Sequence, residues 1–325
     1  MAEYIPLLLM VFIISLLGTV TLEQKLIPCL SKRAQQPIYE DGPSWHMKKR
    51  GTPTMGGVAF LVAITLSLLV ASLILAATDM KYEAASVIVV ILFAVFNSLV
   101  GIIDDLTKLR RKENAGLSPL QKLVFQFISA AVFLFVREYF FSDGTSVNVG
   151  DFSFNLNLLY YPVMAVMLVG IINCANLTDG VDGLATCTAI GVGAALLFMA
   201  TSVDTALISI ALIGGAIAFL FFNINPAKIF MGDTGSLFFG ALTAYAAFTL
   251  ETPMLIVLIS SVYVIEGVSV IMQVVFYKIT KRRIFKMSPL HHHLEKCGWG
   301  ETKICLCALI LTLLSSLVAF GITLL

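Results

Sequence analysis

The stretch ASVIVVILFAVFNSLVGIIDDLTK, residues 85–108, joins a long apolar run to a pair of aspartates. An apolar run of about 20 residues can cross the hydrocarbon core of a bilayer as a helix. A carboxylate at the centre of such a helix costs about 2.5–3.5 kcal/mol. Asp104 and Asp105 are therefore expected where the helix ends, at the membrane surface.

The composition extends this interpretation to the whole chain. Of the 325 residues, 58% are hydrophobic and 13% are charged, whereas soluble domains are about 45–50% apolar and about 25% charged. We predict an all-α polytopic membrane protein with a single domain, 1–325, because no linker divides the chain and no soluble domain remains outside the apolar runs. The ten expected transmembrane helices are 3–22, 54–77, 84–103, 120–140, 157–174, 184–202, 204–222, 235–250, 253–277 and 303–324.

The basic residues of the loops predict the orientation. Of the 21 Lys and Arg residues, all but Lys81 and Arg137 fall in the odd-numbered loops. Cytoplasmic loops carry the excess of Lys and Arg, so both termini are expected outside and the odd-numbered loops in the cytoplasm. The longest outer loop, 141–156, alternates in a way that is typical of a small hairpin. The six cysteines are expected to be free thiols.

Five aspartates fall on the predicted cytoplasmic side, which suggests a cation site there: Asp104, Asp105, Asp179, Asp182 and Asp233. Adjacent helical residues diverge by about 100°, so Asp104 and Asp105 are not expected to face one point. Lys108 follows Asp104 by four residues and shares its face. The alternative for this pair is a solvated helix end.

A second acidic motif lies between the fifth and sixth apolar runs. Asn176, Asp179 and Asp182 are spaced by three and would share a face of a helical turn, while Gly180 and Gly183 allow a ligand to approach the backbone. The alternative is a polar loop with turn glycines.

A third motif precedes the eighth apolar run. Asp233 is expected at a helix N-terminus, either as an N-cap or as a metal ligand beside amides that receive phosphate oxygens. The glycines at 232 and 235 favour the second interpretation.

Histidines concentrate in one loop. His291, His292 and His293 are consecutive, which is not the spacing of a helical zinc site, but they can bind phosphate. The basic run 48–50 before Gly51–Gly57 could hold phosphate, although its charge alone favours a topological anchor. Glu266 and Gln273 share a face of the ninth run and are either functional or a tie to a neighbouring helix.

Together these motifs specify a chemistry. Carboxylates with oxygen-rich loops suit Mg²⁺, which is typically held by one or two carboxylates together with substrate phosphates. Lys and His add phosphate contacts. A site at the cytoplasmic edge can accept a soluble phosphorylated substrate and a lipid phosphate, which points to phosphoryl transfer between them.

The motif residues resemble the polyprenyl-phosphate N-acetylhexosamine-1-phosphate transferase family over the whole chain. The matching elements are Gly51–Gly57, Asp104-Asp105, the Asn-x-x-Asp-Gly-x-Asp-Gly run at 176–183 and Met231-Gly-Asp233. The Pro-Leu-His-His-His run at 289–293 is similar to the branch that acts on muramoyl pentapeptide. The resemblance implies that UDP-MurNAc-pentapeptide and undecaprenyl phosphate give lipid I and UMP, with Mg²⁺, in peptidoglycan synthesis.

The resemblance also implies roles for individual residues. Catalytic roles fall to Asp104, Asp105, Asp233 and His291, with Asp233 binding Mg²⁺ and Asp104 or Asp105 on the lipid-phosphate side. Substrate contacts fall to Lys49, Thr54, Lys108, Lys122, Asn176, Asp179, Gly180, Asp182, Asn223, Phe230, Gln273, His292 and His293, with Phe230 stacking on uracil. The family further implies a homodimer in the bacterial plasma membrane, among membrane lipid and without a nucleic-acid partner.

Two other functions fit parts of the pattern. The same chemistry could use another sugar nucleotide, such as UDP-GlcNAc, although the histidine run argues against it. A membrane transporter would place charged residues near the middle of the membrane and often shows an internal repeat. The aspartates instead gather at one edge, and we find no repeat.

Overall fold

The computed structural model describes residues 2–31, 34, 49, 51–111, 116–141, 144–149, 152–248, 250 and 253–324. The α-helices are α1 Ile5–Leu30, α2 Gly57–Ala77, α3 Lys81–Arg111, α4 Pro119–Phe141, α5 Tyr160–Thr178, α6 Leu184–Met199, α7 Val203–Asn223, α8 Gly232–Tyr245, α9 Ile256–Ile259, α10 Ser261–Thr280, α11 Leu290–Lys296 and α12 Glu301–Thr323. The strands are β1 Ser146–Val149 and β2 Phe152–Asn155. The all-α expectation for the membrane part is confirmed.

Eight of the helical segments in the described residues are long and apolar enough to cross a membrane: α1 to α5, α7, α10 and α12. The expected spans 184–202 and 235–250 correspond to α6 and α8, which have 16 and 14 residues. At 1.5 Å per residue these helices are about 24 Å and about 21 Å long, shorter than a hydrocarbon core of about 30 Å. The structure thus supports a polytopic membrane protein without fixing the count at ten.

Two expected boundaries were wrong. The segment 253–277 is not one helix, because the chain breaks at Ser260 between α9 and α10. The segment 84–103 ends too early, because α3 continues to Arg111. A basic last turn favours such an extension, since cations stabilise a helix C-terminus. The aspartate pair therefore lies within a helix rather than at its end.

The expected hairpin is confirmed, and its place on the outer side of the membrane stays a prediction. β1 and β2 pair antiparallel, with Ser146 opposite Asn155 and Val149 opposite Phe152. Val147 points inward and is buried, as the alternating pattern requires for one face of a strand.

The short helix α8 forms the centre of the bundle. Every residue from Thr234 to Tyr245 is buried, and α8 packs against α3, α5 and α2. The Phe60 ring stacks on Phe239 with centroids 4.2 Å apart, which favours the contact between α2 and α8. Because α8 is enclosed by longer helices, its first turn is held against the C-terminal half of α3.

Candidate active site

Glycines set the contact between α8 and its neighbours. A Cβ at Gly101 of α3 would lie 2.4 Å from the Asp233 carbonyl oxygen, and a Cβ at Gly57 of α2 would lie 2.4 Å from the Gly235 Cα. Gly232 has a φ of +69°, in the left-handed region that glycine adopts without strain. These positions let the backbone of Asp233 approach α3 closely enough for its side chain to join the aspartate pair.

Three carboxylates meet at this contact. Asp104, Asp105 and Asp233 each bring an oxygen within 4.8 Å of the others. The two adjacent aspartates have different partners, as the angle between neighbouring helical residues predicts: Asp105 reaches the first turn of α8, while Asp104 reaches the lysines that contact Asp233. Both members of the pair are buried, which excludes a solvated helix end. We call these three residues the acidic cluster.

Two lysines offset part of the charge of the acidic cluster. Lys108 Nζ lies 2.7 Å from Asp104 Oδ2, as the four-residue spacing predicts, and 3.2 Å from Asp233 Oδ1. Lys122 Nζ contacts Asp233 Oδ2 and lies 3.1 Å from Asp104 Oδ2. Three carboxylates against two ammonium groups leave a net charge of about −1, which attracts a further cation.

Asp105 stabilises the start of α8. Its carboxylate accepts hydrogen bonds from the main-chain N–H of Asp233 at 3.1 Å, the N–H of Thr234 at 2.9 Å and the Thr234 hydroxyl at 2.7 Å. The first N–H groups of a helix lack partners within the helix, and Asp105 supplies them from α3. Met231 occupies the N-cap position, and Asp233 is the second residue of α8. The N-cap alternative for Asp233 was therefore wrong.

The acidic cluster fits a hard divalent cation. Mg²⁺ prefers carboxylate oxygens, and three come together here. Among the described residues, the buried Asp104 Oδ2 makes no hydrogen bond of acceptable geometry, although both lysines are near it. Asp104 and Asp233 are thus better placed than Asp105 to offer an oxygen to a metal, because Asp105 is already occupied by α8.

The second acidic motif does not form one helical face, and that expectation was wrong. α5 ends at Thr178, so the chain turns between Asp179 and Gly183. Asn176 donates from Nδ2 to Ser236 of α8 at 2.8 Å, whereas Asp182 turns away toward Lys49. Asp179 remains near the acidic cluster: burial, and then the charges of Asp233 and Asp105, raise its pKa well above the usual range.

Lys49 is held by two carboxylates. Its Nζ lies 2.7 Å from Asp182 Oδ1 and 2.8 Å from Glu301 Oε2 at the start of α12. Glu301 Oε2 also accepts the Asp182 N–H at 3.0 Å. Burial opposes the charged amine, but the hydrogen bonds and charges of Asp182 and Glu301 raise the Lys49 pKa. The sequence analysis did not single out Glu301. Its position in the first turn of the last apolar helix was the one feature that could have indicated a role. Lys48 and Arg50 lie outside the described residues.

Other expected contact residues support loops around the site. The buried Asn223 accepts the Gly183 N–H at 3.0 Å and donates to the Ile229 carbonyl at 3.0 Å. Gln273 accepts the N–H groups of Ile284 and Phe285 through Oε1.

Thr54 is buried beside Gly232. Phe230 is half-buried, and its stacking on uracil stays a prediction.

The histidines occupy the short helix α11. His291 is buried and its Nδ1 lies 3.1 Å from Glu266 Oε2, so Glu266 ties α10 to α11. His292 Nδ1 lies 2.7 Å from Glu295 Oε2. His293 accepts the Lys286 N–H through Nδ1 at 3.1 Å. The three rings thus have different neighbours, as consecutive helical residues do, and they share no metal-binding face.

The chain matches the model of glycosyl transferase family 4 over residues 87–251, which contain the acidic cluster. The helical bundle and its cluster therefore define an integral-membrane phosphoglycosyl transferase.

A narrower comparison gives the family. Residues 49–61 match the phospho-N-acetylmuramoyl-pentapeptide-transferase signature 1. Similar proteins with this transferase name include those of Bacillus subtilis (43% identical, covering 91% of this chain and 90% of that protein), Halalkalibacterium halodurans (42%, 91% and 91%) and Bacillus velezensis (41%, 91% and 92%). The chain belongs to the phospho-N-acetylmuramoyl-pentapeptide-transferase family.

Proposed function

We propose that this protein transfers phospho-MurNAc-pentapeptide from UDP-MurNAc-pentapeptide to undecaprenyl phosphate, giving lipid I and UMP. Membership of this transferase family supports the reaction and argues against a membrane transporter. The observation that carries the proposal is the acidic cluster with its two lysines, because a metal and ammonium groups are what phosphoryl transfer requires.

The acidic cluster supplies the lipid-phosphate side of the reaction. A bound Mg²⁺ would offset charge on the pyrophosphate and its leaving group; Asp233 and Asp104 would hold it, with Asp105 fixing the first turn of α8. Lys108 and Lys122 then bind phosphate oxygens. A phosphate monoester is largely ionised near neutral pH, since its second pKa is about 6. Asp104 therefore need not remove a proton, and its role would be to hold the metal together with Asp233.

We favour direct attack by the lipid phosphate oxygen on the β-phosphorus of the nucleotide sugar. A new P–O bond forms as the bond to UMP breaks, and the electron pair leaves with UMP. Positioning and charge stabilisation account for most of the rate in such transfers. The two-step alternative passes through a phosphosugar bonded to an aspartate, and trapping that species would overturn direct attack.

The nucleotide side lies in the loops around Asp182. We propose that Lys49, Asp179, Asn176 and Phe230 bind the uridine and diphosphate. Asn223 and Gln273 act through the loops they support, because their amide groups already bond to main chain.

Donor specificity provides the test of this function. The purified protein, with undecaprenyl phosphate and Mg²⁺, is expected to release UMP from UDP-MurNAc-pentapeptide and not from UDP-GlcNAc. Release of UMP from UDP-GlcNAc alone would show that the protein instead transfers GlcNAc-1-phosphate.

The membrane arrangement belongs to the same proposal. We propose a multi-pass protein of the bacterial plasma membrane with ten transmembrane helices and both termini outside, α6 and α8 being the two short ones. The distribution of Lys and Arg supports this orientation. The resemblance to the family supports a homodimer, which mass measurement of the purified protein in detergent would test.

A further inference from the structure

The helices α5 and α10 come into unusually close contact beside the site. A Cβ at Gly267 would lie 2.2 Å from Cys174 Sγ, so any larger residue there would displace the Cys174 side chain. Cys174 lies one turn before the end of α5. The close contact brings the residue next to Gly267 within reach of the loop that follows α5.

That residue is Glu266, a carboxylate buried within α10. Both of its oxygens lie 3.2 Å from the main-chain nitrogen of His291, which donates to them. Oε2 also lies 3.1 Å from the His291 ring atom Nδ1. One carboxylate thus accepts the main-chain N–H of His291 and lies beside its ring, where the contact to Nδ1 does not have the geometry of a hydrogen bond.

The opposite edge of the His291 ring meets Gly180. A Cβ at Gly180 would lie 2.3 Å from Nε2 and 2.9 Å from Cε1. Gly180 has no positive φ, so the ring and not the backbone requires glycine here. Among the described residues, neither of the buried ring nitrogens, Nδ1 and Nε2, has a hydrogen-bond partner. Unsatisfied buried polar atoms are uncommon and call for a ligand or water.

We infer that Glu266 is a positioning residue, which holds the His291 ring so that Nε2 faces the Asp179–Gly183 loop and the nucleotide sugar bound there. The inference rests on the proposed function for the identity of that ligand. Glu266 does not touch the substrate; it holds the main chain of His291 and places its charge beside Nδ1, so that Nε2 is the ring nitrogen turned toward Gly180 and the loop.

The first test is Glu266→Gln, which keeps the size of the side chain but places an amide beside Nδ1. We expect kcat for UMP release to fall about 10- to 100-fold, as for carboxylates that orient functional histidines, with the KM for the nucleotide sugar changing less than threefold. Glu23→Gln is the matched control, because Glu23 is a buried carboxyl of α1 without a hydrogen-bond partner in the described residues. Retention of more than half of wild-type kcat by Glu266→Gln, at unchanged KM, would overturn the inference.

A double-mutant cycle separates positioning from general support of the fold. If Glu266 acts through His291, then Glu266→Gln has little further effect in a His291→Gln background. Independent effects that multiply in the double variant would show that Glu266 acts by another route, and would contradict the inference.

A third test does not depend on activity. Gly180→Ala should lower the thermal unfolding temperature in detergent, and the loss should disappear in the Gly180→Ala/His291→Ala variant, where the ring is absent. Equal losses in both backgrounds would contradict the placement of the ring. An inactive wild-type protein that still shows this pattern would overturn the proposed function and leave the ring placement standing.

Discussion

At the scale of single residues, Asp233 is the carboxylate on which the proposed chemistry depends most. Both lysines of the site contact it, and Asp105 already provides the cap of α8. We predict that Asp233→Asn lowers turnover at least about 100-fold, because a metal ligand matters more than the outer partners whose loss costs 10- to 100-fold. UMP release over a range of Mg²⁺ concentrations measures this, and the unfolding temperature checks the fold. Near-normal activity would remove Asp233 from the metal site.

Glu301 is a residue whose part only the structure could reveal. It accepts hydrogen bonds from Lys49 and from the Asp182 N–H. Both donors lie more than a hundred residues away in the sequence, and a local sequence pattern does not predict contacts between such distant residues. We predict that Glu301→Gln raises the KM for the nucleotide sugar about tenfold with little change in kcat, since a charged hydrogen bond contributes about 1.5 kcal/mol. Lys303→Gln, two residues further along α12 and stacked on Trp299, is the control. An unchanged KM would contradict the role given to Glu301.

At the scale of helices, the start of α8 depends on Asp105. Asp105→Asn replaces one acceptor oxygen by an NH2 group, which then faces the N–H of either Asp233 or Thr234. We predict a loss of about 1–3 kcal/mol in the free energy of unfolding. Asp79→Asn is a suitable control because Asp79 is exposed and its side chain makes one long ion pair. Unfolding in detergent, followed by circular dichroism, compares the two. An equal stability of both variants would show that the cap contributes nothing.

The crossing of α2 and α8 supplies a second prediction at this scale. Gly57→Ala pushes a methyl group into the Gly235 backbone, whereas Gly170→Ala on α5 meets open space. We predict a loss of about 1–3 kcal/mol for the first, as for overpacked cores, and almost none for the second. If both variants unfold alike, the close contact between α2 and α8 is not required.

The existence of the helices could be predicted from the sequence, but the residues at which they end and the contacts between them could not. Apolar runs of sufficient length predicted the membrane helices, and the alternation of 147–156 predicted the hairpin. The break at Ser260 and the extension of α3 to Arg111 depend on packing and on a charged turn, which hydropathy does not register. The meeting of the three carboxylates required knowing that glycines let α8 reach α3. The candidate residues came largely from motifs, and their partners came from the structure.

At the scale of the whole molecule, the proposed orientation predicts which loops face the cytoplasm and which face outward. A single cysteine introduced at the exposed Ser146 of the hairpin, in a variant without the native cysteines, should react with an impermeant maleimide in whole cells. Cys297, kept as the single native cysteine and exposed near α11, should react only in inside-out vesicles. The reverse pattern would invert the proposed orientation and place the acidic cluster outside.

The central claim is that the acidic cluster catalyses transfer of a phosphosugar to a lipid phosphate. Its most direct test is to incubate the purified protein with UDP-MurNAc-pentapeptide, undecaprenyl phosphate and Mg²⁺, and to detect the lipid product by mass spectrometry. The account predicts lipid I and an equal amount of UMP, with neither formed in the presence of a chelator or by Asp233→Asn. Folded wild-type protein that forms no lipid I under these conditions would contradict it.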